Sequence, residues 1–370
     1  MLDSNILIKY LKEIGFPHTY YDACKVNPAF SQKYKKKFQN DIFITVQKKD
    51  TDLLYYKSLP IISQFQTNLK KKKIETYIAG GSSVRLYSIL DYKKEFTQND
   101  IESISTSDFD IVLFTDKKNI TIKILVSYII DVINSYYLTI SKPYYMTLQL
   151  NVAIPFHNIE ELDYVLKYFL NKNFDLQRFI YDSEKNKYSF LFIILFKKDF
   201  CIKLRINFVI ISQNFFNTDK HGVIEIYHYY FDTNNKFKLT NIILPTEVII
   251  ARKSSYATDL VKNSINYNGN VFYLYNKKAV LYNLVNMQYK YEYLVDNMSI
   301  LGKKKEQKNV RDYNRLKYFL RIYCNECNQF NNNKINKILN KLLENKLQFN
   351  IALNKVTNLK MIDNIFENYS

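Results

Sequence analysis

The chain lacks any run of the roughly 18 to 20 apolar residues that a membrane span needs. The nearest is YSFLFIILF, residues 188–196, which lysines flank and which reads as a buried strand. The opening stretch, MLDSNILIKYLKEIG, is charged throughout and has no signal-peptide layout, so a cytosolic or nuclear protein with no membrane partner is expected. Cysteine is scarce: Cys24, Cys201, Cys324 and Cys327. A structural zinc site needs four ligands, and the CxxC of Cys324 and Cys327 has no second close pair to complete it. Few thiols in so long a chain fit a reducing compartment. The four histidines, His18, His157, His221 and His228, show no metal spacing. Tryptophan is absent, while Lys far outnumbers Arg and Asn, Ile, Tyr and Phe abound. An AT-rich gene would encode such a composition whatever its product does. Base composition does not force 53 basic residues against 35 acidic ones, however. The net charge of +18 therefore implies an anionic partner, because a basic surface attracts polyanions.

What is present is ample core material, with 47% hydrophobic residues, in a length that suits two domains or one domain with a helical extension. Residues 1–50 look partly helical, with a basic run at Lys33–Lys37. Residues 52–73 suit a helix that Pro60 should start or kink and that Lys70–Lys73 close favourably. Ile74–Ala79 reads as a strand, Val84–Leu90 as a turn or two of helix, and Phe109–Phe114 as a buried strand. Ile120–Ile133 has helical spacing, Met146–Ile154 alternates like a strand, and Ile159–Leu170 looks helical. Tyr188–Phe196 and Cys201–Ile211 flank Lys197-Lys198-Asp199 as a hairpin would. After Pro245 the pattern turns helical. One stripe is Leu281, Leu284, Val285 and Gln288; a second is Val310, Tyr313, Leu316 or Lys317, and Leu320. A third runs Ile335, Ile338, Leu339, Leu342 and Leu343. These patterns divide the chain into an extension (1–50), an α+β domain (51–244) and a mainly helical domain (245–370). No internal repeat is visible.

Against only six glycines in the chain, Gly80 and Gly81 are adjacent and directly follow a strand, in YIAGGSSVRLYSIL. Glycine permits positive φ and close backbone approach. A strand, a glycine turn and a helix N-terminus together present N–H groups to a phosphate. The hydroxyls of Ser82 and Ser83 could add donors, although a tight turn with a serine cap would read the same. No GK[ST] follows, which excludes a Walker A loop. The second motif is STSDFDIVLF, residues 105–114. Residues i and i+2 of a strand share a side, so Asp108 and Asp110 project together, anchored by the apolar run behind them. Paired carboxylates repel unless a cation lies between them. This is how a two-metal site is built, though a lone DxD at an exposed strand start would look the same.

Taken together, GGSSVRLY followed by SDFDIVLF resembles the hG[GS]…[DE]h[DE]h signature of the polymerase-beta-like nucleotidyltransferases. The resemblance is strongest to the poly(A) polymerase catalytic subunit of poxviruses and other large DNA viruses. The segment between the motifs is longer than in compact members, and GKKKEQKNVRDYNRLKYFL (302–320) is similar to the helical part of such enzymes. The specific match covers about 40 residues. It implies an α+β fold, a nucleotidyltransferase-type mixed sheet with flanking helices followed by a mainly helical domain. It implies template-independent addition of adenylates from ATP to RNA 3′ ends, as in mRNA processing, with Mg²⁺ or Mn²⁺ as cofactor. Gly80, Gly81, Ser82 and Ser83 would bind the nucleotide, and Asp108 and Asp110 would be the catalytic metal ligands. ATP, an RNA 3′ end and a processivity or capping subunit would be partners, in the cytoplasm, a virion or a viral factory.

One departure stands out. The family carries a third carboxylate on a later strand, where CIKLRINFVIIS places Asn207, expected beside Phe109–Phe114 as a neutral third metal ligand. Gln149 and Asn151 of the other candidate strand are also amides, and Asp199 sits in a turn. An enzyme weakened at that ligand, a non-catalytic RNA-binding subunit on the same fold, and a transferase with another acceptor all remain open. Arg85, one turn into the helix after the glycines, could reach phosphate but is read as solvated or ion-paired. Lys303–Lys305 and Arg311 could meet triphosphate or RNA, or be a solvated charge run. The 33 tyrosines offer bases stacking partners, but most belong to the core.

Overall fold

The computed structural model describes residues 51–91, 104–115, 122–139, 145–152, 175–182, 187–196, 200–209, 220–232, 238–241, 243–252, 263–297, 302–325, 332–344, 363–365 and 367–368. The expected extension over 1–50, the helix at 159–170, Cys24, Cys327 and Asp199 lie outside these residues. The chain divides into two compact units, residues 1–76 with 111–253 and residues 77–110 with 254–370.

The first unit opens with α1 (Thr51–Lys71), which runs through Pro60. Proline is tolerated there on the exposed side, while Tyr55, Leu59, Ile62, Gln66 and Leu69 recur at helical spacing and are buried. The helix ends in a Schellman motif. Lys73 takes φ +62°, its N–H donates to the Lys70 carbonyl (2.9 Å), and the Ile74 N–H donates to the Leu69 carbonyl (3.0 Å). Helix α3 (Ile122–Thr139) packs on α1, with the Phe65 and Tyr136 rings 4.2 Å apart and Lys72 paired to Asp131 at 3.0 Å.

The strands of this unit are β2 (Phe109–Thr115, from Ile111 onward), β3 (Tyr145–Val152), β4 (Asp175–Asp182), β5 (Lys187–Phe196), β6 (Phe200–Val209), β7 (Lys220–Asp232), β8 (Lys238–Asn241) and β9 (Thr246–Arg252). They form a mixed sheet in the order β2-β9-β7-β3-β6-β5-β4, with β8 against β7. The β3–β6 pair is parallel, whereas β7 runs antiparallel to both β3 and β9. The expected hairpin is present: Phe196 pairs with Phe200 across residues 197–199. On β7, Ile224, Ile226 and His228 are buried and alternate with half-exposed Val223, Glu225 and Tyr227, the period of a sheet with one core face.

In the second unit the end of β1 (Glu75–Ala79) lies parallel to β11 (Asn270–Leu274), with Ile78 opposite Leu274. Strand β10 (Asn263–Tyr267) pairs antiparallel with β11 through a two-residue turn of Asn268 (φ +49°) and Gly269 (φ +76°). Two successive positive φ values make this a type I′ turn, which matches the strand twist. Helix α2 spans Gly80–Asp91, longer than its sequence pattern suggested. Asn276 caps α4 (Lys277–Asn297) by accepting the Ala279 N–H at 2.8 Å. Helices α5 (Gly302–Asn325) and α6 (Asn332–Glu344) follow, and α5 packs on α2, α4 and α6. The stripe Leu281-Leu284-Val285-Gln288 is buried as expected, and so are Ile335, Ile338, Leu339 and Leu342 of the third stripe, whereas Leu343 is half-exposed.

One expectation is corrected: three strands, β9 to β11, precede the helices after Pro245. Residues 77–110 group with 254–370. The tie is hydrogen bonding: Tyr275 N–H donates to the Ile78 carbonyl (3.0 Å), the Tyr87 hydroxyl donates to the Tyr275 carbonyl (2.8 Å), and Asn263 donates to that hydroxyl (2.7 Å). No helix among the described residues is long and apolar enough to cross a membrane.

Candidate functional site

The glycine turn and the acidic pair, Asp108 and Asp110, fall in the second unit, and one serine joins them. Ser82 Oγ donates to the Ala79 carbonyl at 2.9 Å and accepts the Asp110 N–H at 3.3 Å. Ser83 Oγ donates to the Gly80 carbonyl at 2.8 Å. Both serines are fully buried. Their hydroxyl protons therefore hold the start of α2 in shape rather than pointing to a ligand. The groups left to a phosphate here are the main-chain amides and the positive end of the helix.

The two glycines are required for different reasons. Gly80 has φ +59°, and a Cβ built on it would collide with the Asp110 carboxylate. A Cβ on Gly81 would come within 2.8 Å of Arg315 Nη1 and 2.9 Å of its Cζ. A carboxylate and a guanidinium thus press on two consecutive Cα atoms. Asp110 gains from this position, since a negative charge at a helix N-terminus is favoured.

Asp108 and Asp110 are half-buried, whereas Phe109, Ile111 and Leu113 are buried. Asp110 lies within β2, whereas Asp108 stands in the bend just before it. Thr106 Oγ1 donates to the Asp108 carbonyl at 2.8 Å and shapes the entry into β2.

A basic residue that reaches the motifs from elsewhere in the unit is Arg315 of α5. It is only 5% exposed. Its Nη2 donates to the Ser105 carbonyl at 2.7 Å, and its Nη1 lies 3.3 Å from Asp312 Oδ1. Asp312 is buried too, and half-exposed Arg311 reaches the same Oδ1 at 3.3 Å. Burial pulls the Arg315 guanidinium below its ordinary value, Asp312 draws it back up, Arg311 opposes, and Asp110 and Asp108 add to the upward pull. A guanidinium stays protonated throughout, so Arg315 is a buried cation whose field reaches the acidic pair.

Sequence reasoning named Arg311 and passed over Asp312 and Arg315. The signal was there: Asp312, Arg315, Leu316 and Phe319 recur at i, i+3, i+4, i+7 and are all buried, so a charged pair sits on the core stripe. The expected stripe through Val310 is shifted, Val310 being 57% exposed. Arg85 is buried rather than solvated. Side chains of Lys303–Lys305 lie outside the described residues. Cys324 is buried and forms no disulfide.

Asn207 is not brought to the acidic pair as expected. Its strand, β6, is separated from β2 by β9, β7 and β3, roughly 19 Å across at about 4.8 Å per strand. Asn207 instead stands in register with Asn151 and Ser189. The strand beside β2 is β9, which carries Glu247 in register with Glu225 of β7. Among the described residues no three His, Cys, Asp or Glu side chains gather in a way that could hold a metal.

No family model matches the chain, and no curated protein matches it. Among solved structures it is similar to an antigenic nucleotidyltransferase-like protein from Paracoccidioides brasiliensis, at 15% identity and a TM-score of 0.31, over 84% of this chain and 94% of that one. That likeness is too slight to carry an argument. What the site offers rests on its own geometry: a helix N-terminus that opens on two glycines, a carboxylate pair on the adjoining strand entry, and a buried arginine against both.

Proposed function

We propose that this protein is a polymerase-beta-like nucleotidyltransferase that adds adenylates from ATP to RNA 3′ ends. The observation that supports it best is the junction in which Ser82 of the glycine turn accepts the Asp110 N–H while Gly80 leaves room for the Asp110 carboxylate. In this reading the first-turn amides of α2 take the triphosphate of ATP, and the absence of a side chain at Gly81 lets the Arg315 guanidinium stand beside them. The RNA 3′ oxygen forms a bond to the α-phosphorus, the bond to the β-phosphate oxygen breaks, and pyrophosphate leaves. The hydroxyl proton passes to solvent.

The residues present fit a divalent ion. Mg²⁺ is commonly held by one or two carboxylates together with substrate phosphates, and Asp108 and Asp110 supply such a pair. When bound, Mg²⁺ or Mn²⁺ would supply positive charge to the reacting phosphate and the attacking oxygen. The chain's own part is to hold both carboxylates on one side, through buried Phe109 and Ile111, and to place them at the mouth of α2.

A second reading is favoured by one observation, the lack of a third acid beside Asp108 and Asp110 among the described residues. It is a non-catalytic RNA-binding subunit. A transferase that uses the same chemistry on another acceptor is a variant of the first reading. Incubation of an oligoribonucleotide with each nucleoside triphosphate in turn, with Mg²⁺ or Mn²⁺, separates them on a gel. The proposal expects extension with ATP that Asp108→Ala and Asp110→Ala each reduce on the order of a thousandfold. RNA binding with no extension under any condition would install the second reading. Substantial activity in either folded variant would remove the acidic pair from the mechanism.

A further inference from the structure

We propose that Arg315 is a built-in counter-cation for the acidic pair, which a divalent ion must displace electrostatically before it can bind. The inference rests on the reading of Asp108 and Asp110 as metal ligands. Its geometric basis is independent of that reading. The guanidinium stands where a Gly81 side chain would be, at 2.8–3.0 Å from the position of its Cβ. The next residue back, Gly80, has the Asp110 carboxylate in the equivalent place. The two charges therefore flank one dipeptide. Arg315 also bonds the carbonyl of Ser105 (2.7 Å), three residues ahead of Asp108, so it is fastened to the segment that presents the pair.

A buried cation needs a nearby anion. Asp312 supplies one, at 3.3 Å, but Asp312 also answers Arg311 at the same distance. Arg315 thus lies in the field of three carboxylates, Asp312, Asp110 and Asp108, and shares the first of them with Arg311. The buried one is placed to stabilise two like-charged carboxylates without a metal. Such an arrangement holds the pair in its binding geometry, and it makes the empty site less attractive to a divalent ion than two bare carboxylates would be. Metal binding then becomes strongly coupled to the nucleotide, whose triphosphate brings negative charge for Arg315 to answer.

Mn²⁺ binding followed by electron paramagnetic resonance, without nucleotide, tests this apart from any activity. Arg315→Met is expected to bind Mn²⁺ about tenfold more tightly than the parent protein, since one repelling charge is gone. The gain should vanish when Asp110→Asn is added. Arg315→Lys keeps the charge and should show no gain. Because Arg315→Met leaves Asp312 buried beside Arg311 alone, thermal melts accompany each variant. The double variant Asp312→Asn/Arg315→Met, which removes both members of the pair, carries the same expectation if the single one fails to fold. Unchanged or weaker Mn²⁺ binding in the charge-removing variants, or an equal gain in Arg315→Lys, would overturn the counter-cation and leave the metal reading standing. Absence of Mn²⁺ binding from the parent and every variant would overturn both.

Discussion

The amide of Asp110 donates to the hydroxyl of Ser82 at 3.3 Å, and the same hydroxyl donates to the Ala79 carbonyl at 2.9 Å. One buried oxygen therefore ties the end of β1, the start of α2 and the acidic strand entry together. Replacing Ser82 by alanine would leave a part-buried N–H and a carbonyl without this partner, at about 1–3 kcal/mol. Ser82→Ala should lower the unfolding midpoint and speed hydrogen exchange at the Asp110 amide. If Ser82 instead served only as a phosphate donor, the variant would lose ATP affinity with no change in that amide's exchange.

Gly80 and Gly269 offer a matched comparison. Both have positive φ, +59° and +76°, so alanine at either carries the left-handed penalty of about 1–2 kcal/mol. A Cβ at Gly269 meets nothing within 4 Å, while one at Gly80 collides with Asp110. Gly269→Ala should therefore cost only the backbone penalty and leave nucleotide transfer intact. Gly80→Ala should cost more and abolish transfer by moving the carboxylate. Equal shifts in the urea midpoints of the two variants would mean that Asp110 gives way freely.

The charge of +18 makes a prediction that separates partner from gene composition. RNA binding through several lysine–phosphate contacts should weaken linearly in log Kd against log salt, with a slope of several units. Filter binding between about 50 and 200 mM salt measures it. A flat plot would assign the lysine excess to base composition alone.

Much of the site was legible because its signals are local. Gly80-Gly81 after an apolar strand and the i, i+2 acids before Ile111–Phe114 each declare themselves within a few residues. Register and strand order are not local, which is why Asn207 was expected beside β2 and lies four positions away. The β10–β11 hairpin carries a strong turn signal in Asn268-Gly269, but its strands are five residues each and the longer helical stripes downstream outweigh them. Asp312 and Arg315 were missed because charge on a helix is ordinarily solvated. Only the placement of both on the Leu316 and Phe319 stripe marks them as buried.

His228 gives a pH test of the first unit. It is fully buried on β7, its ring lies 5.2 Å from that of Tyr136, and neither ring nitrogen has a hydrogen-bond partner. Burial with nothing to stabilise the charge lowers its pKa from 6.5 to about 3. In the unfolded chain the imidazole regains a pKa near 6.5. Above that value both states are neutral and the group contributes nothing. As pH falls below 6.5 the unfolded chain takes up a proton that the folded chain refuses, so stability drops until the folded pKa is reached. The slope is about 1.4 kcal/mol per pH unit for a single group. His228→Phe keeps an aromatic ring beside Tyr136 and cannot titrate. Its urea midpoint should fall less than that of the parent protein between pH 7 and pH 5, and the difference between the two curves isolates His228 from the carboxylates that titrate lower. Parallel curves would mean that the folded protein protonates His228 as readily as the unfolded chain does, and that the buried ring finds a partner for its charge.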